Sequence, residues 1–199
     1  YTDWAKAYGG IVVTLDGTDG RVNYMECFES GELESTNFSH QMSKLNTFYK
    51  FICPHCTDAE RDEFEAVCRQ LYIEWGLYKP ETSMEEQKFT GLDPKQYPTF
   101  DDLLHLLHKL LNTDVQEKEA KQKLSSSRRE RLENIELAIS NLVQSNSMMF
   151  SGETTIPSLT NQQIVVYNVK NVSSMKTELF NAVLFNVLNL MIADMFHIG

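Results

Sequence analysis

The chain lacks the features that would make its function quick to read. No glycine is followed by lysine, so the phosphate-binding pattern G-x-x-x-x-G-K-[S/T] is missing from it. No apolar run ends in Asp-Glu, which removes a strand-end acidic pair for Mg²⁺ and water. Cysteine is scarce, 4 in 199 residues, well outside disulfide-scaffold composition. Positive charge is in the minority, 18 Lys+Arg against 28 Asp+Glu, giving −10. So acidic a surface repels phosphate backbones and excludes a whole-surface nucleic-acid binder. No apolar run reaches the roughly 20 residues of a membrane span. The most apolar stretch, Leu179 to Ala193, carries Asn181, Asn186 and Asn189 and reads as a buried core helix, so no transmembrane segment is expected. The start, Tyr1-Thr2-Asp3-Trp4, has neither the basic region nor the apolar run of a secretory signal. It also lacks an initiator Met and reads as a piece of something longer.

What is present is one globular domain's worth of chain, with 42% hydrophobic residues. Tyr1, Trp4, Ala5 and Tyr8 have helical spacing and stop at Gly9-Gly10. Ile11 to Leu15 and Ile164 to Val169 are short apolar runs rich in β-branched residues, hence buried strands. Residues 29–37 and 151–163 are polar and read as connections. Between them the period is helical. His40 to Cys53 forms one helix, ended by Pro54. Thr57-Asp58-Ala59-Glu60 reads as a capping box. Behind it Phe64, Val67, Cys68, Leu71, Tyr72 and Trp75 form one stripe, ended by Gly76. A third helix starts at Thr99, and a fourth is capped within Ser125-Ser126-Ser127. Ser173-Ser174 would cap a final helix running to about Ile198.

This order predicts an α+β fold, mainly α, with a helical block inserted between strands of a partial α/β sheet. The divisions are 1–36 (helix, strand, loop), 37–150 (helical subdomain) and 151–199 (return strand and helix). Two strands alone do not make a stable open sheet, so further strands are expected outside this stretch.

Three groups could carry chemistry. Cys53-Pro54-His55-Cys56 has the C-x-x-C spacing of thiol-disulfide oxidoreductases, with Cys53 as nucleophile and Cys56 as resolving thiol. Such a cysteine follows a core strand, whereas Met42 to Ile52 reads as an amphipathic helix, so the structural reading outweighs the redox one. The same residues with Cys68 or His40 supply zinc-ligand types, but no second ligand pair completes a site. His105 and His108 stand between leucines on one helix and read as surface histidines. Lys118, Lys121, Lys123, Arg128, Arg129 and Arg131 are the only basic cluster, a weak candidate for touching DNA or an acidic partner. Interleaved Glu117, Glu119, Glu130 and Glu133 favour a solvated helix face with i, i+4 pairs.

The stretch Tyr1 to Gly17, followed by Gly20-Arg21-Val22-Asn23, resembles the conjugative-transfer ATPases of type IV secretion systems, the TraC/TrsE-like motors. In that family a helix ends in Gly-Gly, a strand follows, and a loop leads to an Asn usually followed by Pro. His40 to Tyr49 and Ala66 to Tyr72 resemble the opening of its inserted helical subdomain. Ile164 to Val169, Asn171 and the Leu179 to Met191 helix resemble its return to the sheet. Tyr24 stands where Pro is usual, and Asn168 where an Asp is common. The resemblance implies a RecA-like ATPase whose parent protein binds ATP and Mg²⁺ and works as an oligomer, a hexamer. It also implies a cytoplasmic location at the inner face of the membrane and contacts with secretion-system components. The nucleotide motifs would lie upstream and downstream of these residues. This stretch alone would then be inactive, with no catalytic, cofactor or metal residue of its own.

Overall fold

A computed structural model describes residues 1–17, 20–31, 33–116, 124–157, 159 and 162–196. The elements are α1 (Thr2–Ala7), β1 (Ile11–Thr14), α2 (Glu34–Ile52), α3 (Asp58–Trp75), α4 (Phe100–Gln116), α5 (Ser126–Ser145), α6 (Ser147–Phe150), β2 (Val165–Asn168) and α7 (Thr177–Phe196). Short 3-10 turns lie at Met84–Glu86, Pro94–Gln96 and Val172–Ser174. The fold is mainly helical with one small parallel sheet. In it Ile11 pairs with Val165 and Thr14 with Asn168. The helices from α2 to α6 lie between the two strands in sequence.

Local chemistry explains most boundaries. Gly9 and Gly76, at φ +73° and +83°, take the left-handed conformation that ends α1 and α3 without a Cβ clash. Thr57 Oγ1 accepts from the Glu60 amide at 3.2 Å, and Ser125 Oγ from the Arg128 amide at 3.3 Å. The Asp102 carboxylate reaches back to the Thr99 amide at 2.8 Å, the reverse half of a capping box.

Two boundaries differ from expectation. Helix α2 starts at Glu34, inside the stretch read as a connection, because its first turn faces polar partners. The Glu34 carboxylate accepts from the Phe89 amide (3.1 Å) and the Thr90 hydroxyl (3.0 Å). Asn37, itself buried, accepts from the Ser30 amide at 2.9 Å. Helix α7 starts at Thr177, not after Ser174. The hydroxyls of Ser173 and Ser174 donate to the carbonyls of Lys170 and Asn171, closing a 3-10 turn instead of capping a helix.

The core is continuous from β1 to α7. Helix α2 packs on α3 and α7, α4 on α5, and α3 touches both α4 and α5. The irregular segment 20–28 runs through this core, with Val22, Tyr24, Met25 and Cys27 buried. Its backbone groups are satisfied from a distance, as burial requires. The Gln41 amide donates to the Tyr24 carbonyl, the Tyr72 hydroxyl to the Met25 carbonyl, and the Asn186 amide to the Val22 carbonyl. Asn23 donates to the Pro98 carbonyl at 2.9 Å and accepts from the Met25 amide at 3.0 Å. Tyr24, where proline is usual in the resembling family, puts its ring among Phe48, Phe100 and Phe150.

The segment 153–155 is laced to the same loop. The Thr155 amide donates to the Arg21 carbonyl and the Arg21 amide to the Thr155 hydroxyl, Arg21 Nε donates to the Glu153 carbonyl at 2.8 Å, and Thr154 bonds both the Asn23 amide and the Glu26 carboxylate. The way into the helical block and the way out of it are thus one hydrogen-bonded unit.

Among the described residues one helix, over Thr177–Met195, is long and apolar enough to cross a membrane by length and composition. The sequence predicts a core helix there, and it is one on a single side. Val183, Asn186 and Val187 are buried, the latter two facing the 20–24 loop, while Leu188, Ile192 and Met195 are exposed.

Candidate functional site

A groove of about 930 Å³ opens where the α2–α3 corner meets α5 and the start of α7. Cys53, His55, Cys56, Leu137, Asn141 and Lys176 are among its lining residues. The corner exists because Pro54 lacks an amide and cannot continue α2. Cys53 is therefore the last residue to bond back into the helix, its amide donating to the Tyr49 carbonyl at 2.9 Å. The Cys56 amide donates to the Cys53 carbonyl at 3.1 Å, closing a turn before Thr57 caps α3.

Glu60 sits in the groove wall. It does not close the expected capping box, because its carboxylate is used elsewhere. It accepts from the Tyr49 hydroxyl at 2.6 Å and the Asn134 amide at 3.4 Å, linking α2, α3 and α5.

All four cysteines are free. Burial pushes the Cys53 thiol up, and the charges of Cys56 and Glu60 add to this, while Tyr49 opposes it only in part. Burial also raises Cys56, again helped by Glu60. Cys53 follows a helix rather than a strand. These features are opposite to those that activate an oxidoreductase thiol. Among the described residues no group of three His, Cys, Asp or Glu side chains is placed to hold a metal ion.

Of the basic cluster, Lys118, Lys121 and Lys123 lie outside the described residues. The three arginines are ion-paired. Glu63 on α3 accepts from Arg128 Nε at 2.8 Å and from Arg131 at 3.1 Å, and Arg129 pairs with Glu133 one turn on at 3.0 Å. The Glu63 side chain is only 9% exposed, against 41% and 27% for its two arginines. This is a clamp between α3 and α5 rather than a row of free cations. Glu63→Gln should lower stability by about 1–2 kcal/mol, between the values for surface and buried pairs, and urea unfolding measures it. A change below about 0.3 kcal/mol would show that the clamp is only superficial.

The histidines serve the same bundle. His108 Nε2 lies 2.8 Å from a Glu136 oxygen across the α4–α5 contact. His105 Nδ1 lies 2.8 Å from the Asp101 carbonyl one turn back. His40 Nδ1 lies 2.7 Å from the Ser30 hydroxyl.

No protein-family model matches the chain. It is 28% identical over 203 residues to the uncharacterized protein pXO2-09 of Bacillus anthracis, a match covering 96% of this chain. The chain spans 30% of that relative's length. In structure it is similar to VirB4 of Thermoanaerobacter pseudethanolicus, with a TM-score of 0.75 and 17% identity. That match covers 96% of this chain and 64% of the VirB4 chain. The resemblance carried by Tyr1 to Asn23 and by Ile164 to Met191 therefore holds at the level of the fold.

Proposed function

We propose that this chain is the central portion of an ATP-driven motor of conjugative transfer, related to the type IV secretion ATPases. Residues 1–36 and 151–199 supply strand and helix to its RecA-like sheet, and residues 37–150 are the helical subdomain inserted between them. One observation carries the reading: β1 and β2 pair in parallel across a helical insertion, in a chain that shares the VirB4 fold over 96% of its length.

Among the described residues, the turn after β1 does not have the shape of a phosphate loop. A phosphate loop needs free backbone amides at a helix N-terminus just after a strand. Here Gly20 is folded back onto β1 itself, its Cβ position 1.9 Å from the Thr14 carbonyl oxygen. The next helix begins only at Glu34. Nucleotide chemistry in this reading belongs to other parts of the parent motor, and this chain contributes scaffold. Its partners are further subunits of the same motor, in a hexamer, and secretion components at the cytoplasmic face of the membrane. Contact with DNA through the cluster from Lys118 to Arg131 is the least supported part, since its described arginines are already paired.

Two measurements test the reading. Calorimetric titration of the isolated chain with Mg-ATP should show no micromolar binding, and saturable heat would sink the division of labour. Val13→Asp, which buries a charge in β1, should abolish plasmid transfer when placed in the full-length parent. Undiminished transfer would remove the conjugation reading.

A further inference from the structure

We propose that Cys53 and Cys56 form a reversible intrachain disulfide in the groove wall, a modification site that takes its oxidising equivalents from a low-molecular-weight disulfide. Backbone geometry carries this. The 3.1 Å bond from the Cys56 amide to the Cys53 carbonyl closes an i to i+3 turn. Such turns bring the end Cα atoms within about 7 Å, and a disulfide spans about 4.4–6.8 Å. Pro54 occupies the first central position, where its fixed φ holds the turn closed.

Accessibility supports the same pair. Cys53 and Cys56 are half-buried and line the groove, whereas Cys27 and Cys68 are buried in the core. The two thiols are also close enough for the charge of one to raise the other.

The exchange is balanced in two steps. The Cys56 thiolate, in the more open of the two positions, attacks the small disulfide, forming a mixed disulfide and releasing one thiolate. The Cys53 thiolate then attacks Cys56 Sγ, forming the intrachain bond and releasing the second thiolate. The chain loses two electrons and two protons, and the oxidant is reduced to two thiols. Burial and the neighbouring Glu60 keep both thiols protonated near neutrality, so the exchange is slow there and accelerates as pH rises. Closure locks the turn between the end of α2 and the N-cap of α3. It stands independently of the motor reading.

The test is incubation of the whole chain in glutathione buffers of increasing oxidised fraction, followed by alkylation and peptide mapping. Trypsin releases both cysteines on one peptide, Phe51 to Arg61. The expected result is loss of two hydrogens from that peptide, reversed by dithiothreitol, with Cys27 and Cys68 still free. Cys53→Ser should instead accumulate a glutathione adduct on Cys56. Persistent alkylation of both thiols under fully oxidising buffer would overturn the proposal. So would oxidation that falls on Cys27 or Cys68, or between two chains.

Discussion

Truncation of Phe48 to alanine should lower stability by about 3–5 kcal/mol, the range for a fully buried aromatic. The ring is 1% exposed. It lies 4.6 Å from Tyr24, 5.2 Å from Phe100 and 6.4 Å from Phe150, centroid to centroid. Those partners come from the 20–28 loop, the start of α4 and α6, so one side chain of α2 joins four separate segments. No single neighbour can move in to fill the space without leaving its own contacts, and a cavity remains. The fall is a large share of the 5–15 kcal/mol typical of a native domain. It would appear as a lower urea midpoint with an unchanged slope. Leu137→Ala, at a position 59% exposed, is the control and should change stability by less than about 0.5 kcal/mol. A Phe48→Ala loss under about 1 kcal/mol would mean that the four segments do not share a close-packed core.

This cluster also marks where the sequence is readable and where it is not. Helix α3 was legible to the residue at both ends, because Thr57 and Gly76 are local signals and its apolar stripe is regular. The strands are legible as β-branched runs but are not the buried strands such runs predict: in β1 only Val13 is buried, and all of β2 is half-buried. Their pairing, Ile11 with Val165, is a contact across the whole helical block that no local pattern encodes. No local signal marks the 20–28 loop as core. Its burial has no period, and its polar groups are satisfied by Gln41, Tyr72, Thr154 and Asn186, all distant in sequence.

The same distinction runs through the candidate site. The charge alternation around Arg128 to Arg131 predicted ion pairing, and Arg129 with Glu133 is the i, i+4 pair expected. The stronger partner, Glu63, is on another helix and carried no local signal. At Cys53-Pro54-His55-Cys56 the helix before the motif already argued against an oxidoreductase strand. The groove beside it depends on the placement of α5 and α7, which only tertiary structure supplies.

Raising the pH should lift stability between about pH 8 and 9 and lower it steeply above pH 9, through opposed buried groups. Burial lowers the Lys44 ammonium from 10.5 to about 8, where it donates to the Glu26 carbonyl and lies over the Phe28 ring. The unfolded chain therefore holds that proton between about pH 8 and 10.5 while the folded chain does not, so this group makes stability rise with pH across that window. Burial pushes Cys27 the other way, from 9.0 to about 12. There the folded chain holds the proton longer, and stability falls as pH climbs from 9.0 toward about 12. Cys68, Tyr24 and Tyr72 are raised for the same reason. Each group contributes about 1.4 kcal/mol per pH unit within its window. Between about pH 8 and 9 the lysine acts alone and stability rises by roughly 1.4 kcal/mol. From pH 9 the raised thiols, Cys53 and Cys56 included, outweigh it, and above pH 10 the tyrosines add their own losses. Urea unfolding across the alkaline range should show the rise and then the fall. Lys44→Met should erase the rise, leaving a level stretch to about pH 9. Superimposable curves for the two proteins would show that Lys44 does not titrate as a buried amine.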